Sequence, residues 1–230
     1  MDLSHCLTGN EPTTLSVASL DADGAATYTF YVDGTADRLA EPVPVSGGYA
    51  VFGTLSLALE PASLRYAEAA RQSADAGAVV CLDPNIRPAF ASEKHRLFLR
   101  GMLEAVTVLK LSDEEVEFLG DTSHVPVVVT TLGGGGIRVR ASFGTAEVQA
   151  PQVEVADTIG AGDTVMAALV HQFDAHGLDR RALLDLGAEE WREILDFAAR
   201  AAAVTVARTG VRGVAAAALR PSGRALTDLT

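Results

Sequence analysis

Ala78-Val-Val-Cys-Leu-Asp83, Val106-Thr-Val-Leu-Lys-Leu111 and Val125-Pro-Val-Val-Val-Thr-Thr-Leu132 are short apolar runs, separated by segments with helical spacing. Runs of this length and composition read as strands buried on both faces. The spacing predicts a helix over Ser92 to Glu104 before the second run and a short one over Asp113 to Leu119 before the third. Upstream, Tyr49 to Leu57 is strand-like and Pro61 to Ala76 helical, with proline near the first turn, where its missing N–H costs nothing. Apolar strands that alternate with helices require crossovers, so the core, residues 49 to 213, is α/β with a mostly parallel central sheet flanked by helices. Ligands of such open sheets sit beyond the carboxyl ends of the strands. Those ends carry Asp83-Pro-Asn85-Ile-Arg87-Pro, Lys110-Leu-Ser112 and Thr131-Leu-Gly133.

Downstream, Ile137 to Arg140 and Ala146 to Ala150 read as a hairpin that delivers the chain to Asp157-Thr-Ile-Gly-Ala-Gly-Asp163. This glycine turn lies between an extended or loop segment, Pro151 to Ala156, and a helical run, Asp163 to Ala175. N–H groups at a helix start lack intrahelical partners and carry about half a positive charge, so the spot suits an anion. Glycine admits a phosphoryl group close to the backbone, and Asp163 can accept a proton from a substrate hydroxyl. The alternative is that Asp157 or Asp163 simply caps a helix. The remainder reads as helical: Thr164 to His176, Arg180 to Leu186 and Ala188 to Ala207, ending at Arg208-Thr-Gly-Val-Arg-Gly213. Near the amino end, Thr13 to Asp21 and Ala26 to Val32 read as a hairpin turning at Asp23-Gly24, either part of the main sheet or an accessory sheet.

Composition narrows the function further. A formal net charge of −12 over 230 residues repels nucleic acid and anionic membranes, so neither is an expected partner. An anionic ligand must be held by a few local donors, and only Lys94 and Lys110 are lysines. Cys6 and Cys81 have neither disulfide nor zinc spacing, and the five histidines form no ligand pattern. Without a signal-like start or a membrane-length apolar run, the expected location is the cytoplasm.

Asp157-Thr-Ile-Gly-Ala-Gly-Asp163 resembles the Asp-Thr-x-Gly-Ala-Gly-Asp signature of PfkB-type sugar kinases, the ribokinase family, and meets every fixed position. Asp83-Pro-Asn-Ile-Arg-Pro88 and Phe30-Tyr-Val-Asp-Gly-Thr-Ala-Asp37 are fructokinase-like. Thr131-Leu-Gly-Gly-Gly-Gly136 is similar to the family's Thr-Leu-Gly-x-x-Gly, and Ser112-Asp-Glu-Glu115 to its Asn-x-x-Glu element with Ser in place of Asn. The resemblance implies a single ribokinase-like domain, with residues from about 13 to 45 partly a β lid. It implies an ATP-dependent kinase of a sugar hydroxymethyl group, of fructose or a related ketose or keto-sugar acid. Asp163 would be the base, beside an anion hole at Gly160, Ala161 and Gly162. Asn85 and Arg87 would bind sugar, and Lys110, Thr131, Gly133 and Gly136 the nucleotide. Glu115 would hold Mg2+ through water, and Asp157 with Thr158 a monovalent cation such as K+. Lid strands of relatives pair between subunits, which implies a homodimer.

No Walker A string occurs, which argues against a P-loop enzyme. A dinucleotide-binding oxidoreductase built on Gly160-x-Gly162 would need a third glycine where Val165 stands. A non-catalytic chain that keeps only a nucleotide-binding half is the other alternative. The family's early Gly-Gly-x-x-x-Asn sugar element is not found, and Met1 falls just before the region of Glu11-Pro-Thr-Thr. The expectation is therefore a sheet short of its first strands, prone to association and weakly active on its own.

Overall fold

The computed structural model describes residues 3–20, 26–210 and 213–214, and the chain divides into two compact units, 1–106 and 107–230. In the first unit, β1 (Leu15–Leu20) and β2 (Ala26–Tyr31) pair antiparallel as a two-stranded sheet of their own. The accessory-sheet reading of this region therefore holds, while the turn at Asp23-Gly24 lies outside the described residues. β3 (Tyr49–Gly53) then runs through α1 (Ala62–Asp75) into β4 (Val79–Asp83), and the two strands pair in parallel from Tyr49↔Val79 to Gly53↔Asp83.

The burial of each element follows from its residues. β4 is apolar apart from its last residue and buried at every position. β3 alternates, with Ala50 and Phe52 inside and Val51 exposed. The strand expected over Tyr49 to Leu57 stops at Gly53, because Thr54 takes a positive φ of 63° and Thr54–Leu57 coil into a 3-10 turn. α1 buries the small residues Ala62, Ser63, Ala69, Ala70 and Ser73, which lets the helix approach β4 closely. The Ser73 hydroxyl donates to the Ala69 carbonyl (2.7 Å) and accepts from the Val45 amide (3.0 Å). α2 (Glu93–Met102) starts where the Ser92 hydroxyl accepts from the His95 amide, at 3.2 Å.

The second unit opens with a βαβ step: β5 (Val108–Ser112), α3 (Asp113–Leu119) and β6 (Val127–Thr131), with β5 and β6 parallel. β7 (Ile137–Ala141) and β8 (Gly144–Val148) continue this sheet antiparallel, in the order β5-β6-β7-β8. Among the described residues three helices follow, α4 (Ala161–Ala175), α5 (Arg180–Asp185) and α6 (Ala188–Val206). α4 packs along α6, Phe173 meeting Trp191 edge-on at 5.9 Å between ring centroids, both fully buried. Such an aromatic pair contributes about 0.5–1.5 kcal/mol beyond its buried area. At the other end of the contact the Thr164 and Thr205 hydroxyls share a hydrogen bond of 2.9 Å, so the α4 amino end is fixed against the α6 carboxyl end.

Candidate functional site

Residues 149 to 160 run from β8 to α4 without strand structure, so Pro151 to Ala156 is a loop. The Ala156 and Asp157 amides both donate to the Val206 carbonyl, at 2.8 and 3.1 Å. The Asp157 carboxylate accepts from the Ile159 amide (2.9 Å) and from the Gly210 amide (3.0 Å). These backbone bonds, that from Ile159 foremost, hold the Asp157 carboxyl below the usual carboxylate range. Asp157 thus ties the approach to α4 to the segment after α6.

Gly160 precedes the first turn of α4 in the left-handed region, φ 80°, which glycine adopts without the Cβ penalty of other residues. No side chain caps this helix. Asp163 is its third residue, exposed, so the capping alternative for Asp163 fails. The helix also begins at Ala161, two residues before the expected start. The Ala161 amide already donates to the Thr158 carbonyl at 3.3 Å, and helical geometry leaves the Gly162 and Asp163 amides without intrahelical acceptors.

The second glycine turn follows β6. Gly133–Gly135 form a 3-10 turn closed by Leu132 N–H to Gly136 O (2.9 Å) and Gly136 N–H to Gly133 O (3.2 Å). Gly136 has φ 107°, and a Cβ there would overlap the Val148 carbonyl oxygen of β8. The hairpin can therefore close over this turn only with glycine at 136.

Both turns face one cavity of about 360 Å³. Thr131, Gly133 and Gly136 line it from one side and Thr158, Ala161 and Gly162 from the other. Its apolar wall includes Val153 and Val155 of the loop and Ala199, Ala202, Ala203 and Val206 of α6. The sequence names none of these wall residues individually, since alanine and valine carry no chemistry of their own; the family resemblance points only to the helix that bears four of them. The spacing 199, 202, 203, 206 is nevertheless a single helix face of small residues. Gly160, Asp157, Asp163, Lys110 and Glu115 are not among the lining residues, although Asp163 directly follows Gly162. Lys110, only 4% exposed, lies under the α4 turn.

Glu115 is buried in a capping box at the start of α3. Its carboxylate accepts from the Ser112 amide (2.8 Å) and the Ser112 hydroxyl (3.1 Å), while the Glu115 amide donates back to that hydroxyl (3.3 Å). Among the described residues no three His, Cys, Asp or Glu side chains gather to hold a metal. His95 stacks on Phe98 and His171 lies against Phe197, at ring-centroid distances of 6.2 and 5.6 Å. Asn85 and Arg87 follow β4 in the first unit, half-buried, Asn85 with a positive φ of 46°.

The cavity has the size of a small-molecule site, and its apolar wall and glycine side fit an aromatic base and a phosphate chain, respectively. Mg2+ in phosphoryl-transfer sites is carried by one or two carboxylates, water and the nucleotide itself, so the lack of a protein cage is compatible with it. Among the described residues, no helix is long and apolar enough to cross a membrane.

Comparison with known proteins gives the same direction. The model of the pfkB family of carbohydrate kinases matches residues 1–217. The probable fructokinase-2 of Arabidopsis thaliana is 28% identical, over 86% of this chain and 65% of that protein. A fructokinase of Rhizobium leguminosarum bv. trifolii is 32% identical, over 74% of this chain and 57% of that protein. The chain thus spans about two thirds or less of the length of these curated relatives. A crystal structure of fructokinase with bound ATP from Xylella fastidiosa superposes with a TM-score of 0.78 at 26% identity, covering 88% of this chain and 70% of that one. The α/β, ribokinase-like class expected from the sequence is therefore the class of the structure, parallel strands joined through helices beside a small antiparallel sheet.

Proposed function

Because the chain belongs to the pfkB family of carbohydrate kinases, we propose that it serves the transfer of the γ-phosphoryl group of ATP to a sugar hydroxymethyl group, with fructose the favoured acceptor. The observation that carries this reading is the single cavity on which Gly133 and Gly136 converge with Ala161 and Gly162, from turns more than twenty residues apart. The wall of Val155, Ala199 and Val206 would hold the base, and the glycine turns the phosphate chain.

Phosphoryl transfer asks the protein mainly for position and charge. The Gly162 and Asp163 amides, with the partial positive charge of the α4 terminus, stabilise negative charge that grows on the transferring group. Asp163 holds its carboxylate one residue further on and takes the hydroxyl proton. Asn85 and Arg87 of the first unit are candidates to hold the sugar, on the family resemblance alone. Mg2+, when bound, neutralises phosphate charge; Glu115 would reach it through water while keeping its bond to the Ser112 amide. Asp157 and Thr158 would bind a monovalent cation, and Asp157 also holds the loop to Gly210.

Two measurements test this. ATP binding is read by calorimetry, and phosphoryl transfer by incubating the chain with ATP and each of a panel of fructose, other ketoses, aldoses and keto-sugar acids. A phosphorylated ketose and saturable ATP binding are expected. Failure of ATP to bind would remove the basis of the nucleotide reading, and transfer to aldoses alone would overturn fructose as acceptor.

A further inference from the structure

The stretch from Asp157 to Asp163 is anchored at both ends to the last two residues of α6, Thr205 and Val206. At its entry the Ala156 and Asp157 amides donate to the Val206 carbonyl, at 2.8 and 3.1 Å. Just past its exit the Thr164 hydroxyl lies 2.9 Å from the Thr205 hydroxyl. Thr205 has a single hydroxyl hydrogen and gives it to the Ala201 carbonyl at 3.3 Å, one turn back in α6, so it accepts from Thr164. Thr205 is 4% exposed, which keeps water from competing for that acceptor. The two threonines are not among the cavity-lining residues, yet each stands between residues that are: Gly162 and Val165 on α4, Ala203 and Val206 on α6. The entry bonds are made by backbone, which almost any sequence supplies. The exit bond is made by side chains, and no side chain caps α4. In the first turn of α4 the polar tie to the cavity wall is therefore this pair of hydroxyls.

Resting on the phosphoryl-transfer reading above, we infer that Thr205, acting through Thr164, is a positioning residue for the amino end of α4. It sets where the Gly162 and Asp163 amides and the Asp163 carboxylate stand relative to the phosphate end of the nucleotide. Thr164 directly follows Asp163, so a shift of its side chain is carried to the base and to the amides of the same turn. Contacts among small apolar side chains, such as those around this pair, have little direction, whereas a hydroxyl pair fixes both distance and angle. A threonine that only supported the fold would give way to valine, which has the same shape, at a cost in stability alone. A positioning threonine loses transfer rate with valine and recovers it with serine, which keeps the hydroxyl.

The experiment uses the full chain with Thr205→Val, Thr205→Ser, Thr164→Val and the double valine variant. Amide resonances are followed as ATP is added, and turnover is measured on ATP and fructose. In the parent, ATP should shift the Gly162 and Asp163 amides and those of Ala199 and Ala203 on the wall. In Thr205→Val the shifts at Gly162 and Asp163 should shrink while those at Ala199 and Ala203 keep their size, and Thr205→Ser should match the parent. In Thr205→Val kcat should fall roughly five- to fiftyfold, below the about hundredfold that a misplacement of about 1 Å costs, with KM for ATP within about twofold of the parent. Thr164→Val should act as Thr205→Val does, and the double variant no worse than either, since both remove one bond. Parent-like shifts in Thr205→Val, equal losses at both sets of amides, or a Thr205→Ser protein as impaired as Thr205→Val would each overturn the inference. The amide comparison decides it with or without turnover on fructose, and if Thr205→Val fails to fold, the same comparison in Thr164→Val decides. A parent chain in which ATP shifts no amide would overturn the nucleotide reading itself, whereas parent-like α4 shifts in the valine variants overturn only this inference.

Discussion

Gly133 and Gly136 belong to one turn and line one cavity, yet alanine should act on them very differently. At Gly133 the backbone has φ 53°, and a Cβ would find nothing within 4 Å. The cost is that of a non-glycine residue in the left-handed region, about 1–2 kcal/mol. At Gly136 the φ of 107° lies beyond that region, and the Cβ would overlap the Val148 carbonyl and approach the Gln149 Cα and Ala150 N at 2.9 Å. Those are backbone atoms of β8 and the residues after it, which move only with the hairpin. Backbone strain of about 1–3 kcal/mol and overpacking of a further 1–3 kcal/mol give about 4 kcal/mol for Gly136→Ala. For a chain of this size each kcal/mol shifts Tm by about 2–4 °C, so Gly136→Ala should melt roughly 8–16 °C below the parent and Gly133→Ala only a few degrees below it. Thermal unfolding followed by circular dichroism, with urea midpoints as a check, measures both. Equal destabilisation of the two variants, or a Gly136→Ala protein as stable as the parent, would show that the Val148 carbonyl does not crowd position 136.

Two further outcomes follow. The Asp157 carboxyl is lowered by its bonds from Ile159 and then Gly210, so its contribution to the loop is complete above the unfolded value and lost as pH falls through the lower folded value; the Ile159 and Gly210 amide resonances should titrate together with a midpoint below the ordinary Asp value of about 3.9, and a midpoint at or above it would contradict the bonds. The Cys81 thiol is fully buried and pushed up to about 12 by burial, whereas Cys6 is exposed, so native protein treated with iodoacetamide should be modified at Cys6 alone, which peptide mass spectrometry reads.

Much of the fold could be read from the sequence because its strands are short, apolar and bounded by polar residues. Val79–Asp83 and Val127–Thr131 fall inside the runs seen in the sequence, and α3 begins and ends at the residues its spacing gives. Elements ended differently where the cause was a conformation instead of a composition. β3 stops because Thr54 turns the chain with a positive φ, and nothing in the run Thr54-Leu-Ser-Leu57 announces this. α4 starts at Ala161 because Gly160 makes the left-handed turn before it, which moves Asp163 from cap to third residue. In the site, residues with chemistry or a glycine signature were visible, and the cavity gathers Thr131, Gly133, Gly136, Thr158, Ala161 and Gly162. The individual residues of its apolar wall were not, since Ala199 and Val206 look like any core residues of a helix. The burial of Glu115 was also hidden, because three acidic residues at a helix start suggest a solvated face, whereas the capping box turns the third one inward.

The proposed role of Asp163, taking the proton while its neighbours hold charge, is tested by the turnover of Asp163→Asn on ATP and fructose, set beside its ATP affinity. Asparagine keeps the size of the side chain and leaves the Gly162 and Asp163-position amides in place, so the fold and the nucleotide cavity should be unchanged. The expected result is a loss in kcat of roughly 10²–10⁴-fold, the worth of a general base, with ATP affinity within about twofold of the parent. An Asp163→Asn protein that turns over near the parent rate would contradict the claim.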